Sequence, residues 1–304
     1  MSLNLSALNA WTDEHAMDLI KEAVLKGRTT DLAKVQGGIK HAATINRLST
    51  NIIGQNGACG WNPEGTTTLD QRTITVCDIK INEAICLNDL EDYYTSVMMN
   101  PGSYNTEIPF EQLFAENKRD QIMGLIEDLV WKGNTATGTG NLDLCDGFLT
   151  LFGASASGVV SGTFSAGGNL VDVIDAMIAD LNPNVIDMDD LHIFLSYADY
   201  RTYAKQLRDA NLFHYTGAEN QGQEFSQIHP GTNVRVIAVR GLNATGKLVL
   251  SPASNLYIGT DLLNDAEDFR IFYSQDNDEV RFLAKWKLGV QVAYAEHVVY
   301  YSAV

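Results

Sequence analysis

Between Val280 and Tyr294 the apolar side chains fall on every second residue: Val280, Phe282, Ala284, Trp286, Leu288, Val290, Val292 and Tyr294, set against Arg281, Lys285, Lys287 and Gln291 on the other parity. Successive side chains of a strand point to opposite faces, so a period of two sustained this long predicts one extended β-strand, buried on one face for most of its run. Such a strand needs partners along its whole length. The preceding stretch, residues 160–270, alternates helix and strand. Leu170, Val173, Ile174, Met177, Ile178 and Leu181 recur at i, i+3, i+4, i+7, i+8 and i+11, an amphipathic helix that Asn182-Pro183 ends and that must cover a sheet. Leu191–Ser196 reads as a buried strand, and Ser196 with Asp199 as a capping box opening a helix through Ala210. Val234–Val239, Leu248–Leu250 and Leu256–Ile258 supply further strands. Because the long strand follows this α/β segment, it is expected to return and pair near an earlier helix, which leaves the earlier domain discontinuous in sequence.

That earlier helix is the run PFEQLFAENKRDQIMGLIEDLVW, from Pro109 to Trp131. Pro stands at the first position, Phe110, Leu113, Phe114, Ile122, Leu125, Ile126 and Leu129 make its apolar face, and Gly133-Asn134 stops it. A small-residue connection, GNTATGTGNLDLCDGF, then leads to the apolar segment Phe148–Phe152. Upstream, residues 51–86 predict a long β-hairpin: a strand through Asn51–Cys59, a tip GWNPEGTTTLD, and a second strand QRTITVCDIKINEAIC. Within the second strand Ile74 and Val76 share one parity, while Ile79, Ile81, Ile85 and Leu87 take the other, so a bulge or sharp twist is expected near Cys77-Asp78. At the start, Thr12 can cap a short helix with Met17, Ile20 and Val24 on one face, and Gly37-Gly38 interrupts the chain soon after. One short helix makes no core, so residues 1 to about 48 read as an arm that packs on something else, a neighbouring subunit among the candidates.

Composition narrows the function classes. With 21 basic and 38 acidic residues the chain carries a formal charge of -17, a field that repels nucleic acid and anionic lipid, so a DNA-gripping protein is not expected. The start MSLNLSALNAWTDEHAMDLI lacks a basic region followed by an apolar core, and no apolar run approaches the roughly 18 residues of a membrane span. Cys59, Cys77, Cys86 and Cys145 form no C-x-x-C pair and have no histidine at zinc spacing, so they are expected to be reduced thiols, dispensable for function. Gly138-Thr139-Gly140 lacks the third glycine of a dinucleotide loop, and Gly246-Lys247 is followed by Leu248 where a phosphate loop needs a hydroxyl. Asp187, Asp189, Asp190 and His192 are the one compact group of metal-type ligands, but neither the glycine nor the closing glutamate of a calcium loop follows, and a solvated acidic loop is the expectation. Asp276-Asn277-Asp278-Glu279 reads as a hairpin turn. No serine stands in G-x-S-x-G and none of the six histidines has a local partner; Tyr197, Tyr200 and Tyr203 read as a packing face. No catalytic residue, cofactor site or metal site is expected, and the chain is expected to be no enzyme.

The order of parts is an arm, a long hairpin, a long helix ending in a G-N-T-rich loop and D-G-F, an α/β unit and a closing strand. This order resembles the tailed-phage major capsid proteins with the Hong Kong 97-type fold. EDLVWKGNTATGTGNLDLCDGFLT is similar to that family's spine-helix end and glycine-rich turn, IFLSYADYRTYAKQL to its A-domain strand and helix, and KLVLSPASNLYIGTDLL to its late A-domain strands. The resemblance implies an α+β fold divided as an N-arm (1–48), an E-loop hairpin (49–90), a P-domain with the spine helix (91–155), an A-domain (156–272) and a long strand returning to the P-domain (273–304). It implies self-assembly into pentamers and hexamers of an icosahedral shell around double-stranded DNA, located in a virion assembled in the bacterial cytoplasm, with a separate scaffold protein and a portal as further partners and no membrane. The charged scaffolding extension with which many members begin is not expected here. The family's crosslinking lysine has no counterpart at the hairpin tip, since Lys80 is the only lysine between residues 51 and 90. The rival readings are an encapsulin-like compartment shell enclosing a cargo enzyme, a soluble α/β enzyme of unknown reaction, and a surface adhesin or binding module.

Overall fold

The computed structural model describes residues 27–57, 59–61, 63–86, 110–154, 158–210, 225–261, 268–277 and 279–304. The expected Thr12–Val24 helix, Leu87 and Pro109 lie outside them. In chain order, the first elements are α1 (Arg28–Leu32), β1 (Lys34–Gln36), β2 (Ala42–Asn51), β3 (Thr66–Thr75) and β4 (Cys77–Cys86). There follow α2 (Phe110–Lys132), α3 (Phe148–Gly153), β5 (Val160–Phe164), α4 (Leu170–Ala179), β6 (Leu191–Leu195) and α5 (Tyr197–Asp209). The remainder is strand: β7 (Ser226–Ile228), β8 (Arg235–Ala238), β9 (Lys247–Pro252), β10 (Leu256–Gly259), β11 (Asp268–Ser274), β12 (Glu279–Val292) and β13 (Val299–Ala303). The architecture is mixed α+β.

The period-two stretch forms β12, and its even-numbered residues from Val280 to Val292 are buried, while the odd-numbered ones except Gly289 are half-buried. It pairs antiparallel with β4 along ten residues, with β11 on its other side, and with β10 beyond that. Parallel pairing of β1 with β10 completes this five-stranded sheet. Its buried face packs Phe282, Ala284, Trp286 and Leu288 with Ile122, Ile126, Leu129 and Trp131 of α2, so the long strand does return to the long helix. Fully buried Trp131 is the pillar of this core, 5.4 Å from the Phe148 ring and 5.3 Å from that of Phe194.

A six-stranded sheet runs in the order β5-β13-β9-β6-β8-β7. All five residues of β6 are buried, because both faces are covered: Phe194 faces the α2 core, whereas Ile193 and Leu195 pack with Leu170, Ile174 and Met177 of α4 and Leu207 of α5. Helix α4 is opened by Asn169, whose side chain accepts the Val171 N–H, and α5 by Ser196, which accepts the Asp199 N–H and donates to the Asp199 carboxylate. Tyr203 lies buried on that face and Tyr197 meets Phe225 edge-on, as a packing face requires.

Three expectations need correction. The first hairpin strand is Ala42–Asn51, not Asn51–Cys59, and Thr66–Asp70 of the expected tip already belongs to β3. Ten of its positions pair in register with β3, from Ala42↔Thr75 to Asn51↔Thr66. The expected break in the second strand is present, at Val76 beside Cys77-Asp78: β3 pairs with β2, and β4 leaves for β12. The end of the chain is a separate strand, β13, which turns away from β12 and inserts between β5 and β9 of the other sheet. Finally, Cys77 and Cys145 are not thiols but a disulfide with Cα atoms 5.9 Å apart; Cys59 and Cys86 are free and exposed.

Candidate assembly surface

The β2–β3 ribbon and the loop 52–65 that joins it carry five of the eleven large exposed apolar side chains among the described residues. Trp61 is 93% exposed, Ile52 85%, Leu69 81%, Leu48 57% and Ile53 47%. Leu48 and Leu69 face each other across the ladder, so they form a contiguous pair instead of scattered single residues. Monomeric proteins rarely leave such a patch uncovered, and an isolated two-stranded ribbon is marginal in water unless something lies on its apolar side chains.

The root of the ribbon is held firmly, which is why its tip can stand away from the body. Ile45, Ile74 and Val76 bury with Ile39 and Ala293 in a small separate core. A side chain at Gly289 would meet the Thr75 carbonyl oxygen at 2.1 Å, so only glycine lets the ribbon root approach β12 this closely. Arg47 donates to the Ala293 carbonyl at 3.1 Å, Arg72 to that of Val292 at 3.2 Å, and Gln291 to that of Thr73 at 2.8 Å. Arg47 also pairs with Asp70, and that bond holds the Asp70 carboxyl below its ordinary value.

A second fixed point lies where the chain enters the described region. Glu127 of α2 is buried and accepts from the Thr29 amide at 2.6 Å and the Thr29 hydroxyl at 2.7 Å. The Trp131 indole N–H donates to the same hydroxyl at 2.7 Å. Glu127 therefore serves as the N-terminal acceptor for α1 from a different helix, and burial pushes its carboxyl above the usual range while the Thr29 donors oppose that shift.

The polar groups singled out by sequence do not converge on a reaction centre. Asp189 accepts from Asn233 at 3.2 Å and Asp190 from the Ser254 amide at 3.0 Å, so both tie loops together. Burial lowers the His192 pKa, and its ring Nδ1 lies 2.5 Å from the Asp190 carbonyl oxygen. No group of three metal-type side chains comes together among the described residues. In the glycine-rich loop the amide of Thr135 donates to Asp146 and those of Ala136 and Thr137 to the Asn134 side chain, so these donors are spent within the loop and cannot cradle a phosphate. Gly246, at φ 60°, sits in the turn that leads into β9.

One cluster without any local sequence signal is a relay on the α4–α5 side: the buried His229 ring bonds Asp175 at 2.9 Å through Nε2 and the Tyr203 hydroxyl at 2.8 Å through Nδ1. Burial raises the Tyr203 pKa, which makes its phenol a poor nucleophile and a good neutral donor. The cluster joins α4, α5 and the turn after β7, the arrangement of a brace. Tyr203→Phe is expected to cost about 1 kcal/mol in denaturant unfolding and His229→Ala about 2 kcal/mol, the latter leaving the buried Tyr203 hydroxyl unpaired; unchanged midpoints in both variants would remove the brace.

No protein-family model matches the chain, and no curated protein sequence does. Solved structures do. A subunit of the satellite phage P4 procapsid that includes the size determination protein matches at a TM-score of 0.60 and 13% identity, covering 96% of this chain and 100% of its own. The capsid of an empty GTA particle matches at 0.59 and 13%, covering 93% and 90%. A virus-like particle from Pyrococcus furiosus matches at 0.52 and 11%, covering 99% and 100%. The chain has the fold of phage capsid proteins over nearly its whole length.

Proposed function

We propose that this chain is a major capsid protein of the tailed-phage type, a subunit that builds pentamers and hexamers of a closed icosahedral shell around double-stranded DNA. The observation that carries the reading is the ribbon: a structured arm with a rigid root and an apolar tip that the described residues leave exposed. The tip and the surface it needs are different patches, so copies meet head to tail, and such contacts close into rings or shells when the rotation permits. The fold shared with phage capsid proteins supports the same reading. In the Hong Kong 97-type scheme the parts are the N-arm (1–48), the E-loop (49–90), the P-domain with its spine helix α2 (91–155), the A-domain (156–272) and the returning strand (273–304), with β2 straddling the first boundary. The work of the protein is geometric, and no catalytic group takes part. A charge of -17 suits an inner surface that faces DNA without gripping it, with a scaffold protein and a portal as further partners during assembly in the bacterial cytoplasm.

The same charge sets the experiment. Subunits of like charge repel until salt screens them, so purified protein examined by light scattering and negative-stain microscopy is expected to form closed particles as ionic strength rises from about 0.05 to 1 M. A chain that stays monomeric at every salt and protein concentration would overturn the reading. The likeness to the Pyrococcus virus-like particle favours a second reading, a compartment shell around a protein cargo; nuclease-protected DNA or a co-purifying protein inside the particles separates the two.

A further inference from the structure

We propose that a cavity beside the root of the β2–β3 ribbon is the seat for the ribbon tip of a second copy, with Trp61 of that copy as the anchor. The inference rests on the shell reading above, to which it adds the place where the tip docks.

The cavity, of about 450 Å³, lies where β3, the end of β12 and α3 meet. Leu151, Phe152, Val159 and Val292 give it an apolar wall, and Gln71 and Arg72 a polar one. Both walls are fixed before any partner arrives. Arg72 donates to the Val292 carbonyl at 3.2 Å and Gln291 to the Thr73 carbonyl at 2.8 Å, which ties the polar wall to β12, and buried Phe152 stacks on Phe148 at 5.9 Å within the α2 core. A preformed site of this size and mixed lining takes a large side chain with an apolar body and a polar edge at little ordering cost. Trp61 is such a side chain, and it stands 93% exposed. Its ring supplies area for the apolar wall. Its indole N–H suits the Gln71 amide oxygen, the Gln71 amide nitrogen being bound to Asn46 at 3.0 Å. A guanidinium bonded in its plane, as that of Arg72 is, still has a face on which an indole stacks.

The occupant has to be a second copy. β2 and β3 stay in register out to Asn51↔Thr66, so a chain's own Trp61 lies past the far end of the ladder, about 20 Å of strand beyond Arg72, and cannot fold back into its own cavity. Charge favours the meeting of two copies at this point. The loop 52–65 carries a single charged side chain, Glu64, and Arg72 is the one charged residue among those lining the cavity. The signs are opposite there, although two chains of -17 repel each other as wholes. Tip and cavity sit at opposite ends of the same ribbon, so each copy that receives a tip also offers one, and the contact propagates head to tail.

The test uses the full chain. Trp61→Ala is expected to raise the protein concentration at which particles form in high salt by about tenfold or more, as loss of a central aromatic anchor does. Ala154→Trp, which blocks the mouth of the cavity from an exposed position just after α3, is expected to do the same, while Ala154→Ser assembles as the wild type. Both altered positions are exposed, so melting of the low-salt monomer should not move; should Ala154→Trp lower it, a crosslink map alone decides. For that map a benzophenone amino acid replaces Trp61, and particles built from a mixture of isotope-labelled and unlabelled copies are irradiated and digested. Crosslinks between differently labelled copies are expected to join position 61 to residues 71–73, 151–154, 159 or 291–292. Crosslinks that fall elsewhere, or a stable Ala154→Trp chain that assembles at the wild-type concentration, would overturn the seat and leave the shell reading standing. A wild-type chain that never assembles overturns both.

Discussion

Replacing the loop 52–65 with a two-residue Asn-Gly turn is expected to leave the melting of the monomer nearly unchanged and to abolish closed particles. The strands it joins end in register at Asn51↔Thr66, which a two-residue turn can close. Ile52, Ile53 and Trp61 go with the loop, and all three are exposed, so the monomer loses little packing; exposed substitutions usually stay within about 0.5 kcal/mol. In a shell, by contrast, each copy loses an indole and two branched side chains at a contact repeated throughout the lattice. Burying one such side chain is worth about 1.5–3 kcal/mol, and repetition multiplies the loss. Calorimetry of the monomer and microscopy at high salt give the two readouts. A destabilised monomer that still assembles would place the tip in the local core and end the proposed role of the ribbon.

The second large effect is expected at Glu127. Glu127→Ala strips the Thr29 amide and hydroxyl of their acceptor in a buried site, a loss of about 3 kcal/mol in unfolding free energy, and frees α1 from α2. Glu127→Gln keeps the shape and one acceptor and is expected to cost about 1 kcal/mol. The pH dependence separates charge from shape. Burial holds the folded pKa above the ordinary 4.5, so the folded state binds the proton more tightly than the unfolded one. The stabilisation this provides is complete below the unfolded value and is lost as pH rises through the folded value. The stability difference between wild type and Glu127→Gln should therefore shift in favour of wild type as pH falls toward 4, against a background of other carboxylates common to both. A difference flat with pH would mean that the Thr29 donors fully offset burial.

The parts legible in the sequence are those whose periodicity the fold enforces on its own. β12 alternates because its own sheet and α2 bury one face, and α4 repeats at helical spacing because it lies on the six-stranded sheet. β2 was illegible for the opposite reason: in AATINRLSTN only Ile45 is buried, so no alternation marks the strand. Ile52 and Ile53, which look like strand residues, are apolar yet exposed in the loop, and they drew the expected strand to Asn51–Cys59. The strand is misplaced by the sequence pattern because most of its side chains stand exposed among the described residues. The Glu127–Thr29, His229–Asp175 and Cys77–Cys145 pairs stand 98, 54 and 68 residues apart, and pairing over such distances leaves no spacing to read. A C-x-x-C motif, present or absent, bears only on neighbouring cysteines and says nothing about a disulfide between distant segments.

The place of β13 governs when during synthesis the fold can close. This strand lies between β5, to which it is parallel, and β9, to which it is antiparallel, so the inner strand of the six-stranded sheet is the last one made. Until residues 299–303 leave the ribosome, β5 has no described partner and β9 presents an open edge. Val299 and Tyr301 also complete the core beneath α4, where the Tyr301 hydroxyl donates to Asp180 at 2.6 Å. A copy broken off before residue 299 is thus left with a split sheet and an unfilled core, and the topology itself withholds a finished subunit from prematurely terminated translation.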